Sequence, residues 1–197
     1  MSGPRPNWFL ALPLPRAAGW AVEPSCAALP QGLRCLAAAD LHLTLAFLGP
    51  CGQAQAQAAW EALAVLRQPP VLATAGAWRA LGAPGRPSAW GLTLTQGHRE
   101  VTGLMARGRP AALAAAGLPP ERRDPLPHVT LLRPTRREAE QQRRQMAERL
   151  AQLPLPQRPA LLEQLALYTW AEGAVGAAAG APRYRIVEQR SLAGGDP

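Results

Sequence analysis

The chain contains no lysine. All 21 of its basic residues are arginine, against 13 acidic ones, giving a formal net charge of +8. Arginine's planar fork grips phosphate and stacks on bases, whereas lysine acts as a point charge. The excess therefore suits a polyanionic partner. Residue usage biased toward Arg, Ala, Pro and Gly would give the same excess, and net charge says nothing of fold. Cysteine is also scarce: Cys26, Cys35 and Cys51 are odd in number and show no CxxC spacing. That argues against a disulfide framework or a zinc site, leaves idle thiols, and fits a reducing cytoplasm. No apolar run reaches the roughly 18–20 residues of a membrane helix. The patch Trp8–Leu12 is cut by Pro13 and Pro15, so no signal peptide is expected.

What is present is enough for one domain. The 197 residues are 48% hydrophobic, sufficient for a sizeable core without staples, so residues 1–197 are read as a single domain. Histidine is rare, with three in all, yet two of them open the same phrase. His42-Leu43-Thr44-Leu45 returns as His128-Val129-Thr130-Leu131, 128 − 42 = 86 residues later. In a strand, residues i and i+2 face the same way. Each copy thus presents an imidazole beside a hydroxyl. The third histidine, His98, has no Thr partner and sits in a turn before a helix, as a surface residue would.

Around these phrases the pattern alternates between strands and helices. Trp8–Leu12 reads as a first strand, and residues 16–34 suggest a helix of small apolar residues. Leu41–Leu48 is a strand, Gln53–Arg67 a helix, and Val71–Leu81 with Ala89–Thr95 a strand pair around the turn at residues 83–87. Arg99–Gly117 is helical, with Pro110 expected to kink or split it. Pro127–Leu132 is the second motif strand. Thr135 with Glu138 forms a capping box opening a helix to about Leu153, in which Arg136, Arg137, Arg143 and Arg144 form a solvated face or, in the sharper reading, contact phosphate. Leu161–Tyr168 and Tyr184–Arg190 close the chain as strands, joined by a Gly/Ala-rich loop at 172–181. Each half carries one His-x-Thr strand followed by a helix. The expected fold is α+β: two pseudo-symmetric lobes, each an antiparallel sheet with helices, flanking a central cleft.

The paired phrases suit acid–base chemistry. Histidine's ordinary pKa, about 6.5, lets one neutral imidazole take a proton while a protonated one gives one away. Opening a cyclic phosphodiester needs both roles, on opposite sides of phosphorus. The hydroxyls of Thr44 and Thr130 can donate to the non-bridging oxygens, where negative charge builds. A metal is not expected: the histidines are not at helical i, i+4 spacing, and no carboxylate cluster joins the second motif. Asp40 precedes His42 by two residues, either to orient it or as a turn residue. Arg133 could hold the phosphate, but i+5 parity places it opposite His128 unless a twist or strand end before Pro134 turns it inward.

At these residues the chain resembles the two-histidine phosphoesterase superfamily, and within it the bacterial and archaeal RNA 2′,3′-cyclic phosphodiesterases, historically called 2′-5′ RNA ligases. The likeness runs along nearly the whole chain. It is carried by Phe9-Leu10-Ala11-Leu12, by LHLTLAFLG at Leu41–Gly49, by Arg86-Pro87 with Trp90-Gly91-Leu92, by PHVTLLR at Pro127–Arg133, and by Leu165–Tyr168 with Tyr184. The chain departs from the family pattern after its closing tyrosine, where Thr169-Trp170 replaces an acidic residue and a serine. Trp78 stands at the usual aromatic position before the hairpin.

The resemblance implies a metal-free, cofactor-free hydrolase that opens the 2′,3′-cyclic phosphate end of RNA, or of cyclic nucleotides, to a 2′-phosphomonoester. It implies His42 as general acid toward the 3′-oxygen and His128 as general base toward water. Thr44, Thr130 and Arg133 become phosphate ligands, and Phe9 a contact for the nucleoside. It also implies a monomer, while the cysteine usage and the short apolar runs point to a cytoplasmic protein that works away from membranes. Two other readings remain open at this stage: 2′-5′ joining of tRNA halves on the same site, and a non-catalytic module that binds RNA ends or nucleotides.

Overall fold

The computed structural model describes residues 5–21, 33–83, 86–134, 146, 148–150, 152–173 and 181–193. Nine strands and two long helices organise them: β1 (Trp8–Pro13), β2 (Leu33–Cys35), β3 (His42–Gly49), α1 (Gln53–Ala62), β4 (Val71–Ala83), β5 (Arg86–Gln96), α2 (His98–Ala115), β6 (Val129–Pro134), β7 (Ala160–Leu162), β8 (Gln164–Trp170) and β9 (Tyr184–Ser191). All pairings are antiparallel. The strand order is β7-β4-β5-β6-β3-β1-β8-β9, with β2 also on β6.

This order divides into two four-stranded halves. One is β9-β8-β1-β3 and the other is β6-β5-β4-β7, and they meet at the single pair Leu43↔Val129. Each half contributes its motif strand to that seam. The fold is therefore the expected α+β arrangement, built as one curled sheet. Curling follows from connectivity. Only Glu163 separates β7 from β8, yet β7 ends the strand order and β8 lies next to its other end. The backbone N–H of Leu192, just past β9, donates to Glu163 and draws the far edge back toward that link.

Alternation gives the sheet two distinct faces. Leu10, Leu12, Leu43, Leu45, Leu92, Val129 and Leu131 point into the main core, where α2 residues Val101, Leu104 and Met105 join them. A smaller cluster on the other face holds Phe9, Ala11, Ala166 and Tyr168, with Tyr184 packed on it. Leu43 between His42 and Thr44, and Val129 between His128 and Thr130, are both buried in the main core. Burying them fixes the register and turns the motif side chains to the other face.

Several elements differ from the sequence reading. Residues 16–34 hold a 3-10 turn at Arg16–Ala18 and the strand β2, and 22–32 lie outside the described residues. Helix α2 runs unbroken through Pro110. The strand expected over Leu161–Tyr168 is divided at Glu163 between the two halves. Cys35 is disulfide-bonded, while Cys51 is free. Spacing rules out a CxxC site but cannot say which cysteines the fold brings within the roughly 5.5–6 Å Cα separation a disulfide needs. Of the capping-box helix, Thr135 and the four arginines lie outside the described residues, and 148–150 are helical. His98 opens α2 and is exposed. Among the described residues, no helix is long and apolar enough to cross a membrane.

Candidate active site

The seam's register sets the site. In an antiparallel pair, residues on either side of Leu43↔Val129 alternate together. His42 therefore lies across from Thr130, and Thr44 across from His128. Each histidine faces the other copy's threonine, and all four side chains are half-buried on one face. Two short phrases far apart in sequence thus become one four-residue cluster.

Both imidazoles are held by the same device. His42 Nδ1 lies 2.6 Å from the carbonyl oxygen of Asp40, and His128 Nδ1 lies 2.7 Å from that of Leu126. A carbonyl can only accept, so each Nδ1 carries the proton and donates it. Each Nε2 is then the nitrogen left to exchange protons with a ligand. The carbonyl two residues upstream fixes ring and tautomer in both copies.

The surroundings differ. His42 stacks on Phe9 with ring centroids 4.7 Å apart, and lies edge-on to Tyr184 at 5.6 Å. Phe9 in turn stacks on Tyr168 at 4.9 Å. Burial among these rings pulls His42 down to about 4, and the positive charges of Arg133 and His128 add to the effect. His128 is also lowered, first by burial and then by the guanidinium groups of Arg109, Arg133 and Arg79. Both imidazoles are thus biased toward the neutral form in the free protein.

Arg133 reaches the site because β6 carries an extra residue. Thr130 pairs with Gly91 and Leu132 with Trp90, so Leu131 has no counterpart on β5. Such a bulge reverses the alternation beyond it. Arg133 consequently joins His42 and Thr44 in lining a cavity of about 160 Å³, together with Asn7, Phe9, Phe47 and Tyr184. Its buried Nε has no hydrogen-bond acceptor among the described residues. His128 and Thr130 border the seam but do not line this cavity. A larger hollow of about 460 Å³, walled by Trp8, Trp170 and Arg185, contains none of the motif residues.

Asp40 lies in a 3-10 turn before β3 and is 1% exposed. Its carboxylate does not orient His42, and its backbone carbonyl does. The carboxylate accepts the backbone N–H groups of Arg183 and Tyr184 at 2.9–3.1 Å, fastening the start of β9 and with it the Tyr184 ring. Burial nevertheless raises Asp40 above the ordinary carboxylate value.

The two phenylalanines of the β1–β3 pair differ in exposure. Phe9 is 3% exposed and forms the wall behind His42, whereas Phe47 is 59% exposed at the cavity rim. Phe47 is opposite Phe9 in the β1–β3 ladder. Phe47 presents an open aromatic surface at the rim, while His42 and Tyr168 stack on Phe9. Strand parity alone puts Phe47 opposite His42 and Thr44, and it turns to their face because Leu45 has no counterpart on β1. Among the described residues, no three His, Cys, Asp or Glu side chains converge as metal ligands would.

No protein-family model matches the sequence, and no curated protein matches it. Solved structures do. A phosphoesterase crystal structure superposes with a TM-score of 0.67 at 26% identity, covering 96% of this chain and 99% of that one. Escherichia coli LigT complexed with NADP+ gives 0.65 at 26%, covering 97% and 99%. The same protein complexed with 3′-AMP gives 0.65 at 26%, covering 94% and 97%. With the two His-x-Thr strands joined at one seam of a curled sheet, this full-length likeness puts the chain in the two-histidine phosphoesterase superfamily, beside LigT.

Proposed function

We propose that the chain hydrolyses the 2′,3′-cyclic phosphate end of RNA to a 2′-phosphomonoester, acting as a monomer without a metal. The observation that supports this best is the seam, which sets two imidazoles with free Nε2 atoms among two hydroxyls. In this reading, Thr44, Thr130 and Arg133 hold the non-bridging phosphate oxygens. His128 takes a proton from water as its oxygen attacks phosphorus. The P–O3′ bond breaks on the opposite side, and His42 gives its Nε2 proton to the departing 3′-oxygen. The cycle ends with His42 neutral and His128 protonated, and proton exchange with solvent restores the start.

The acid role requires His42 to be charged once substrate is bound. Burial and Arg133 oppose this in the free protein. A bound phosphodiester anion offsets the arginine's field and favours the imidazolium. His42 then takes up its proton as substrate binds. The nucleoside rests against Phe47 and Tyr184 at the rim, which suits a fold whose LigT relatives were crystallised with 3′-AMP and NADP+.

The test is direct. Purified protein in EDTA is incubated with an RNA ending in a 2′,3′-cyclic phosphate. Conversion to a 2′-phosphate end is expected, and an end that stays cyclic sinks the reading.

A further inference from the structure

Strand β2 places a second arginine beside Arg133. Arg34 and Arg133 are direct partners in the β2–β6 ladder. Direct antiparallel partners project from the same face, with Cβ atoms about 4.5–5.5 Å apart. Arg133 lines the small cavity, so Arg34 stands on the cavity side of the sheet. Like charges placed directly opposite one another destabilise a sheet. Both guanidinium groups also have a buried Nε without an acceptor among the described residues. Buried donors are normally satisfied, and a bare charged one is the most costly kind.

The protein offers Arg34 little compensation. Asp40 attracts it, but the Asp40 oxygens already accept two backbone N–H groups. Burial, then the charges of Arg183 and Arg133, hold the Arg34 guanidinium below its ordinary range, and these outweigh the pull of Asp40. Two facing forks with unused donors match one tetrahedral oxyanion, which has acceptors for both and a charge that cancels their repulsion.

We propose that Arg34 is a second guanidinium for the phosphate that Arg133 faces, the two forks sharing one oxyanion at the cavity edge. This rests on the phosphoesterase reading and adds a ligand to it. The role belongs to arginine: lysine would keep the charge and lose the fork.

The test is binding of inorganic phosphate, by calorimetry and by the phosphate-dependent rise in melting temperature. It compares the full chain with its Arg34→Gln, Arg34→Lys and Arg133→Gln variants. Either Gln variant is expected to weaken phosphate by about tenfold or more. Arg34→Lys is expected to weaken it severalfold while melting, without phosphate, as the wild type does. Should Arg34→Gln fail to fold, the Lys variant alone decides. Arg34 variants that bind within twofold of wild type would overturn the proposal. So would full recovery of both affinity and melting temperature in Arg34→Lys, because that marks Arg34 as a counter-ion for Asp40. Wild type that neither binds phosphate nor opens cyclic RNA ends removes the phosphoesterase reading itself. Binding by wild type with unchanged Arg34 variants removes only Arg34.

Discussion

The two motif strands use one device in two environments. In both, a carbonyl two residues upstream accepts the Nδ1 proton, so sequence repetition becomes repetition of tautomer. Beyond that they diverge. His42 sits in a box of Phe9, Tyr168 and Tyr184, and loss of water there is the main reason its proton affinity falls. His128 is flanked by the charges of Arg109, Arg133 and Arg79. A repeat can therefore yield unequal partners when different strands supply the walls. The aromatic side leans on β1, β8 and the start of β9, and the cationic side on α2, β4 and β6.

The largest effect should come from removing either imidazole. His42→Ala and His128→Ala should each lower kcat by about 10²- to 10⁴-fold, and the double variant should lose far less than the product of the two. Multiplicative losses in single-turnover assays would show that the two do not act as a unit.

The aromatic box makes a stability prediction that the cationic side does not match in size. His42 has a folded pKa of about 4, below its unfolded value of about 6.5. The unfolded chain then binds more protons between these values, so stability rises with pH across that window and is lost as pH falls through it. The full effect below pH 4 is about 3 kcal/mol, since each tenfold difference in proton affinity is worth about 1.4 kcal/mol. Denaturant titrations from pH 7 to 4 should show this loss, and His42→Gln should flatten it. Equal slopes in the two proteins would mean that His42 is not desolvated.

On the cationic side, Arg133→Gln should raise KM or lower kcat/KM by about 10- to 100-fold, the worth of one charge-assisted hydrogen bond. It should also let both imidazoles titrate at higher pH, because it removes a repulsive charge from each. Histidine NMR titration reads that change, and a downward movement would contradict the assignment. The smallest effect is expected at the rim. Phe47→Ala should raise KM for a cyclic-ended substrate by roughly fivefold, near the low end of base stacking, with kcat little changed. A change in kcat alone would place Phe47 in the chemistry instead.

Much of this was legible before any coordinates. The His-x-Thr parity followed from strand geometry, and Leu43 and Val129 in the core follow from the same alternation. What escaped depended on distant pairing. Arg133 turns inward because Leu131 is an extra residue opposite β5, a fact no local pattern contains. Arg34 was hidden in a stretch of small residues that read as helix, and only its pairing with β6 makes it a strand. Asp40 could be placed near His42, but the partners of its carboxylate lie 143 and 144 residues away. Phe9 and Phe47 are cross-strand neighbours of opposite exposure, and which one is covered depends on Tyr168 and Tyr184.

The proposed division, with His42 as acid and His128 as base, predicts that the two variants respond differently to a better leaving group. The decisive substrate is a 2′,3′-cyclic phosphate whose 3′-bridging oxygen is replaced by sulfur, since a thiolate departs without being protonated. It is expected to restore turnover to His42→Ala and to leave His128→Ala inactive. Rescue of His128→Ala with His42→Ala still inactive would reverse the two roles, and rescue of neither would contradict acid catalysis at the 3′-position.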